Sequence, residues 1–371
     1  MEKMNTAASH KGERHRSDPA RPPWTAHLSP WRSRTYAIVF LGVLLIVVIA
    51  VATSIGSVSI PLATTARVVL SKLSFLHIAP TWQSGADIIV LEIRLPRIIM
   101  AGLVGAALGT AGATYQGLFR NPLADPYLIG VAQGASLGAV VGFFLPLSGA
   151  FLGMGVIPMF AFIGALASMA VVYALARQGK SLPVTTLVLA GVAISSLLLS
   201  IVSYLVISSG DKMHSIMFWL MGSFSISEWS DVRAVLPYMF VGVGTILLFA
   251  RPLNIMQLDE EQAQQLGVNV ERLKLVLLGA ATLITAAAVS FVGTIGFVGI
   301  IVPHAVRLIW GADYRFLLPL CVLSSAIFLI LADLIARTVL APTEIPVGVV
   351  TALVGAPFFL YLLRAKKKVI F

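Results

Sequence analysis

The sequence predicts an all-α protein that crosses a membrane about ten times. Of its 371 residues, 58% are hydrophobic and 11% charged, where soluble domains carry roughly 25% charge. Apolar runs recur near 35–55, 94–116, 127–147, 157–176, 185–207, 234–250, 274–292, 296–310, 316–335 and 346–363. Each approaches the ~20 residues that a helix needs to span hydrocarbon. An even number of spans puts both termini on one side. With the termini inside, 19 of the 26 basic residues fall on inner segments and 7 on outer ones, the asymmetry that orients membrane proteins. The net charge of +10 therefore reads as topology rather than as a nucleic-acid surface.

Residues 1–34 are polar, carry seven Lys or Arg and contain prolines at 19, 22, 23 and 30, the composition of a disordered inner tail. The apolar run that follows is too long for a secretory signal and opens a transmembrane domain covering 35–371. The outer segment 56–93 has a helical stretch around Leu62 to Leu73.

Between the second and third spans, Asn121, Pro122, Asp125 and Pro126 form a polar knot. Its prolines cannot continue a helix and its charges belong outside lipid, which predicts a tight helix–turn–helix with a structural role. Here Asn121 and Asp125 can bond the exposed backbone ends of the flanking spans. Gly130, Gly134, Gly138 and Gly142 repeat every four residues, as do Gly105 and Gly109, a spacing that lets helices approach closely.

Outside again, Ile216 to Ser225 predicts a short amphipathic helix at the mouth of the bundle. Met213, Met217 and Met221 form a stripe beside His214, which reads as packing rather than as a haem path. The longest inner insertion is 251–274. Asp259, Glu260 and Glu261 open a helical stretch whose N-terminal dipole favours acids, and Gly267 ends it. Small Ala263 and Gly267 suit a helix that fits a groove in another protein. Leu182-Pro-Val184 with Gly191, and Ile345-Pro-Val347 with Gly355, are weakly alike and start on opposite sides, as in transporters built from inverted repeats.

No catalytic or metal-binding set stands out. Gly179-Lys180-Ser181 imitates the end of a phosphate loop, but the upstream glycine position is Ala174 and no strand precedes it. Cys321 is alone, in an apolar run. Among polar residues at membrane depth, Gln116 and Gln133, with Pro183 and Gly191, are candidates to line a path, while Arg307 near His304 suits interior snorkelling. Asp333 and Arg337 are spaced for an ion pair on one helix. Arg94, Arg97 and Arg337 fall at the outer boundary, where snorkelling competes with bidentate pairing to carboxylates.

The ordered motifs Arg94-Leu-Pro-Arg97, Asn121-Pro-Leu-Ala-Asp-Pro126, Ile129-Gly130, Gly134-Ala135, Gly293-Thr-Ile-Gly-Phe-Val-Gly299, Pro303-His304, Arg307, Asp333, Arg337, Glu344-Ile-Pro-Val-Gly348 and Gly355-Ala-Pro-Phe-Phe359 resemble the FecCD-type permeases. These are membrane subunits of binding-protein-dependent ABC importers for iron chelates, haem and vitamin B12, and the resemblance runs from about Arg94 to Leu363. It implies a type II ABC importer permease fold and a homodimer, or a pair with a close paralogue, in a bacterial inner membrane. It further implies two cytoplasmic ATPase subunits that hold ATP and Mg, a periplasmic or lipid-anchored binding protein, and no cofactor, metal or catalysis in this chain. By the same resemblance, Arg94, Arg97 and Arg337 pair with glutamates of the binding protein, and Asp259, Glu260, Glu261, Ala263, Leu266, Gly267 and Val268 form the coupling segment. The alternative is an ion-coupled secondary transporter, which needs a mid-membrane carboxylate. Only Asp333 and Glu344 compete for that role, and both fall near the outer ends of their spans. An integral membrane enzyme lacks its reactive set.

Overall fold

The computed structural model describes residues 30–56, 58–72, 82–147, 149–151 and 153–370. The expected tail 1–34 falls largely outside the described residues, except that the first helix, α1, begins earlier than expected and covers Pro30–Ser54. In order follow α2 Leu62–Leu70, α3 Ala86–Ile88, α4 Leu95–Leu118, α5 Val131–Phe144, α6 Val156–Ala176, α7 Val184–Ile207, α8 Met213–Leu220, α9 Trp229–Leu248, α10 Ala250–Ile255, α11 Glu260–Gln265, α12 Val270–Val292, α13 Val298–Trp310, α14 Tyr314–Thr338 and α15 Val347–Ile370. A two-residue hairpin pairing, Ala150–Phe151 with Met154–Gly155, is the one piece of sheet among the described residues. Ten of these helices coincide with the ten apolar runs. Six of them (α1, α6, α7, α9, α12 and α14) are long and apolar enough to cross a membrane by length and composition, whereas α5, α13 and the apolar part of α15 are shorter.

Helix α4 forms the axis, packed on α14, α12, α13 and α9. Its glycines explain how: a Cβ at Gly105 or Gly109 would overlap Ser325 of α14, and one at Gly112 would overlap Gly299 at the start of α13. The stripe on α5 does the same against α6, where Gly134 meets Gly164 and Gly138 meets the Phe160 carbonyl. Close backbone approach of this kind is how helices associate where no hydrophobic driving force separates them from lipid.

The turn between α4 and α5 is built from its polar residues. Asn121 Oδ1 accepts the Leu123 N–H at 3.0 Å, and Asp125 Oδ1 accepts the Tyr127 N–H at 2.8 Å. The latter caps a short 3₁₀ turn, Pro126–Ile129, that ends at Gly130 with φ +86°. A matching arrangement recurs later: α13 starts at Phe297, also left-handed at φ +69°. Gly191 of α7 packs on Leu128 and Ile129 just before the first of these starts, and Gly355 of α15 packs on Phe297 at the second. Each of the two weakly similar sequence runs thus sets a glycine against one of these left-handed starts.

Helix α8 differs from the short helix expected over Ile216 to Ser225. It covers Met213–Leu220 and leads its C-terminal end inward. There Ser223 N–H bonds the Val292 carbonyl at 2.8 Å, and Val347 N–H bonds the Gly222 carbonyl at 2.9 Å. Only Ile216 on this helix is buried. Met213, Met217 and Met221 are 38–48% exposed, so the methionine stripe is not core packing within this chain.

Candidate functional site

Two charged clusters occupy opposite ends of the bundle, and an uncovered helix face runs between them.

The first cluster gathers around α11. This helix is a single turn and a half, ended by a Schellman motif in which Val268 N–H bonds the Ala263 carbonyl at 3.1 Å and Gly267 N–H the Gln264 carbonyl at 2.9 Å. Gly267 sits at φ +82°, which a glycine adopts without strain. Ala263 is fully buried against the bundle, while Leu258 and Leu266 are 44% and 61% exposed. The helix therefore turns its small residue inward and its leucines outward.

Its acids are held by cations from two other elements. Arg120, in the α4–α5 turn, bonds Asp259 Oδ1 at 3.1 Å and the Leu258 carbonyl at 3.1 Å, with Glu260 Oε1 at 3.7 Å. Lys274 of α12, 4% exposed, donates to Glu260 Oε2 at 2.9 Å and Glu271 Oε1 at 3.1 Å. The same ammonium lies 3.4 Å from the Leu182 carbonyl, and Glu271 Oε2 accepts the Leu182 N–H at 2.8 Å. Leu182 precedes Pro183, the residue that starts α7. One ionic strap thus joins α11 to the α4–α5 turn, to α12 and to the foot of α7. In the sequence Glu260 stands out only as a dipole partner, and Arg120 and Lys274 only as inner-side basic residues. The signal was present, in that a lysine at the start of a buried apolar helix needs acids nearby.

Beside the strap, Asp313 caps α14 through the Arg315 N–H at 3.1 Å and takes Asn254 Nδ2 at 2.7 Å. Its hydrogen bond from the Arg315 side chain, aided by Asn254, holds this carboxyl down at about 2. Arg34 of α1 lies 3.6 Å away and over the Phe316 ring, which fastens α1 to α14.

The second cluster brings Arg94, Arg97 and Arg337 together, and not as free outward cations. They are 5%, 8% and 7% exposed. Arg94 Nη1 donates to the Thr53 and Ser54 carbonyls at 3.0 Å, closing the otherwise open C-terminal end of α1. Arg97 grips Asp333 of α14 through Nε and Nη2 at 2.8–3.1 Å and Glu344 at 2.8 Å. Arg337 donates to the Ala52 carbonyl, with its Nε 3.6 Å from Asp333. The anticipated Asp333–Arg337 pair is therefore secondary to Arg97–Asp333. Burial of these charges forces internal partners. A cavity of about 120 Å³ opens among the three arginines and Glu344.

The candidate path residues separate. Gln116 is buried and its Nε2 donates to the Gly299 carbonyl at 3.1 Å, so it bridges α4 to α13. Gly191 is buried in a close contact, and Pro183 caps α7. Neither Gln116 nor Gly191 faces open space. Gln133 does, beside a separate cavity. The uncovered face belongs to α7, buried over only 11% of its apolar window, a helix whose exposed serines the sequence reading passed over. Ser196, Ser200 and Ser203 each turn their hydroxyl back to a carbonyl four residues earlier at 2.8–3.0 Å. The face is mostly apolar, with Leu189, Leu197, Leu199 and Ile207 exposed on it, and its serines offer no free donors. Among the described residues no cluster of three His, Cys, Asp or Glu could hold a metal.

A model of the FecCD transport family matches residues 44–365. The chain is 44% identical to the cobalamin import system permease protein BtuC of Halobacterium salinarum, over 88% of this chain and 95% of that one. It is 42% identical to the hemin transport system permease protein HmuU of Yersinia pestis, over 75% of this chain and 84% of that one. Among solved structures, an inward-facing conformation of a metal-chelate type ABC transporter superposes with a TM-score of 0.75 at 32% identity, over 88% of this chain and 98% of the other.

Proposed function

The chain belongs to the FecCD transport family of ABC-transporter membrane permeases, and from that premise we propose that it is the translocating subunit of a binding-protein-dependent importer in a bacterial inner membrane. Relatives named for cobalamin, hemin and Fe(3+) dicitrate support a metal chelate as cargo. The strap end and both termini face the cytoplasm. Two copies meet across the uncovered faces of their α7 helices, which line the path. ATP and Mg are held by two separate ATPase subunits, and this chain carries no cofactor.

The strap is the observation that carries the reading. A helix flanked by outward leucines has its acids tied to the α4–α5 turn and to Lys274 of α12, whose other partner, Glu271, holds the Leu182 N–H at the foot of α7. Movement of α11 by a closing ATPase pair would therefore be passed to a path-lining helix, the two-state element that alternating access requires. An ion-coupled transporter has no use for such a strap. Moreover, the two carboxylates open to that role, Asp333 and Glu344, are both engaged by Arg97. The test is association: Leu266→Asp places a charge on the exposed contact and should detach the ATPase subunit from an otherwise folded permease. Undiminished association would remove α11 as the contact.

At the opposite end, three guanidinium groups surround two carboxylates and a cavity, an excess of positive charge that suits carboxylates of a docking binding protein. Because Arg94 and Arg337 also close α1, Glu344→Gln is the cleaner probe. Removing that negative charge, with Arg97 still held by Asp333, should tighten association at low salt, and an unchanged, salt-independent affinity would argue against docking here.

A further inference from the structure

A cavity of about 310 Å³ lies between α5, α7, the end of α8 and the Gly293–Phe297 link. Its polar lining consists of Tyr127, Gln133, Ser136 and Thr294, with Leu199 and Leu220 among its apolar walls. Three of the four polar groups have their hydrogens committed. The Tyr127 hydroxyl donates to the Ile295 carbonyl at 3.0 Å and accepts the Ile295 N–H at 3.0 Å. Ser136 donates to the Ala132 carbonyl at 2.9 Å, and Thr294 donates to the Leu220 carbonyl.

Gln133 is the exception. Its Oε1 is buried without a partner, and among the described residues its Nε2 finds no acceptor either. The buried Oε1 carries a desolvation penalty that a ligand donor would relieve, and the Nε2 hydrogens beside it are free to donate. Leu199, on the rim, is 56% exposed and belongs to the uncovered face of α7, so the cavity opens beside the proposed path.

Resting on the permease reading above, we propose that this cavity is a side-arm pocket in which Gln133 pairs with a neutral carboxamide of the passing chelate, selecting amide-bearing corrinoids over carboxylate-bearing haem or ferric citrate. A ligand amide satisfies Gln133 twice, donating to Oε1 and accepting from Nε2. A carboxylate can take only the Nε2 hydrogen, and it sets its charge against Oε1 and against hydroxyl oxygens whose hydrogens point elsewhere. Buried donors and acceptors discriminate best by what they leave unpaired. The volume is at the low end of the roughly 300–1,000 Å³ of whole-ligand pockets, which suits one arm of a macrocycle and not the whole.

The experiment uses the complete transporter in proteoliposomes, with ATP, and measures uptake of cobalamin, of cobalamin derivatives with one amide hydrolysed to a carboxylate, of haem and of ferric citrate. The wild type should favour cobalamin over the acid derivatives by about three- to tenfold, the ratio expected from one neutral hydrogen-bonded pair. Gln133→Met, similar in size but without hydrogen-bonding groups, should erase that ratio while ATP turnover is retained. Gln133→Asn, which keeps the amide on a shorter stem, should recover part of it. An unchanged ratio in Gln133→Met overturns the proposal. So does a wild type that imports haem or ferric citrate but not cobalamin, with the permease reading left standing. A wild type that imports none of these cargoes also overturns the proposal, and the permease reading falls only if the chain in addition fails to associate with an ATPase subunit.

Discussion

Arg97→Met should be among the most destabilising single substitutions at the far end of the bundle. The change removes three hydrogen bonds to Asp333 and one to Glu344. Asp333 has 1% of its side chain exposed, so its charge cannot be rehydrated in place. Breaking a fully buried pair from one side costs about 3–5 kcal/mol. Two features lower that here: Arg337 Nε remains 3.6 Å from Asp333, and Glu344 keeps 32% of its side chain exposed. A loss of about 2–4 kcal/mol is therefore expected for the single variant. Asp333→Asn leaves Arg97 with Glu344 and should cost less. In the double variant no buried carboxylate is stranded, so the combined loss should fall short of the sum by about 2 kcal/mol, within the range for residues in direct contact. Unfolding titrations of the purified protein in mixed micelles would measure all four corners of this cycle. Additive losses would refute the argument, because they would mean that the two groups do not depend on each other.

Gly112→Ala should lower stability by about 1–3 kcal/mol and reduce folded yield, because the added methyl overlaps Gly299 backbone that has nowhere to move; size-exclusion profiles after detergent extraction would show it. Asp125→Ala removes the cap on Tyr127 N–H and should cost about 0.5–2 kcal/mol, with cargo preference unchanged in an uptake assay. The Asp313 carboxyl is held at about 2, below its value in an unfolded chain. Its contribution is thus fully present above the usual carboxylate range of ~4 and fades as pH falls toward 2. Asp313→Asn should therefore flatten the acid limb of a thermal-stability profile over that interval.

Much of the fold was legible because membrane spans announce themselves by length and composition. The Asn121–Pro126 turn was legible for a different reason: two prolines and two capping side chains permit little else. The glycine stripes of α4 and α5 likewise marked their contact faces. What escaped were facts that depend on which helices become neighbours. Arg97 meets Asp333 across 236 positions of sequence, so the nearer partner four residues along α14 looked the better choice. Lys274 read as an inner-side basic residue, although its burial against Glu260, Glu271 and Leu182 makes it the hub of the strap. Gln116 and Gln133 were indistinguishable as polar residues at depth. One turned out to bridge α4 to α13, and the other stands at a cavity. On α7 the sequence singled out Gly191, which is packed, and missed the exposed serines, because serines that bond their own helix leave no signature beyond an apolar run.

ATP-driven uptake by the reconstituted transporter, compared between wild type and Lys274→Met, tests the central claim most directly. The methionine keeps the buried stem packed and removes the charge that joins Glu260 to Glu271 and to the Leu182 carbonyl at the foot of α7. The account predicts chelate uptake by the wild type that requires ATP and the ATPase partner. It predicts that the variant still assembles and hydrolyses ATP, with uptake per ATP lowered several-fold. Uptake driven by an ion gradient without the ATPase would contradict it, as would a fully coupled Lys274→Met transporter.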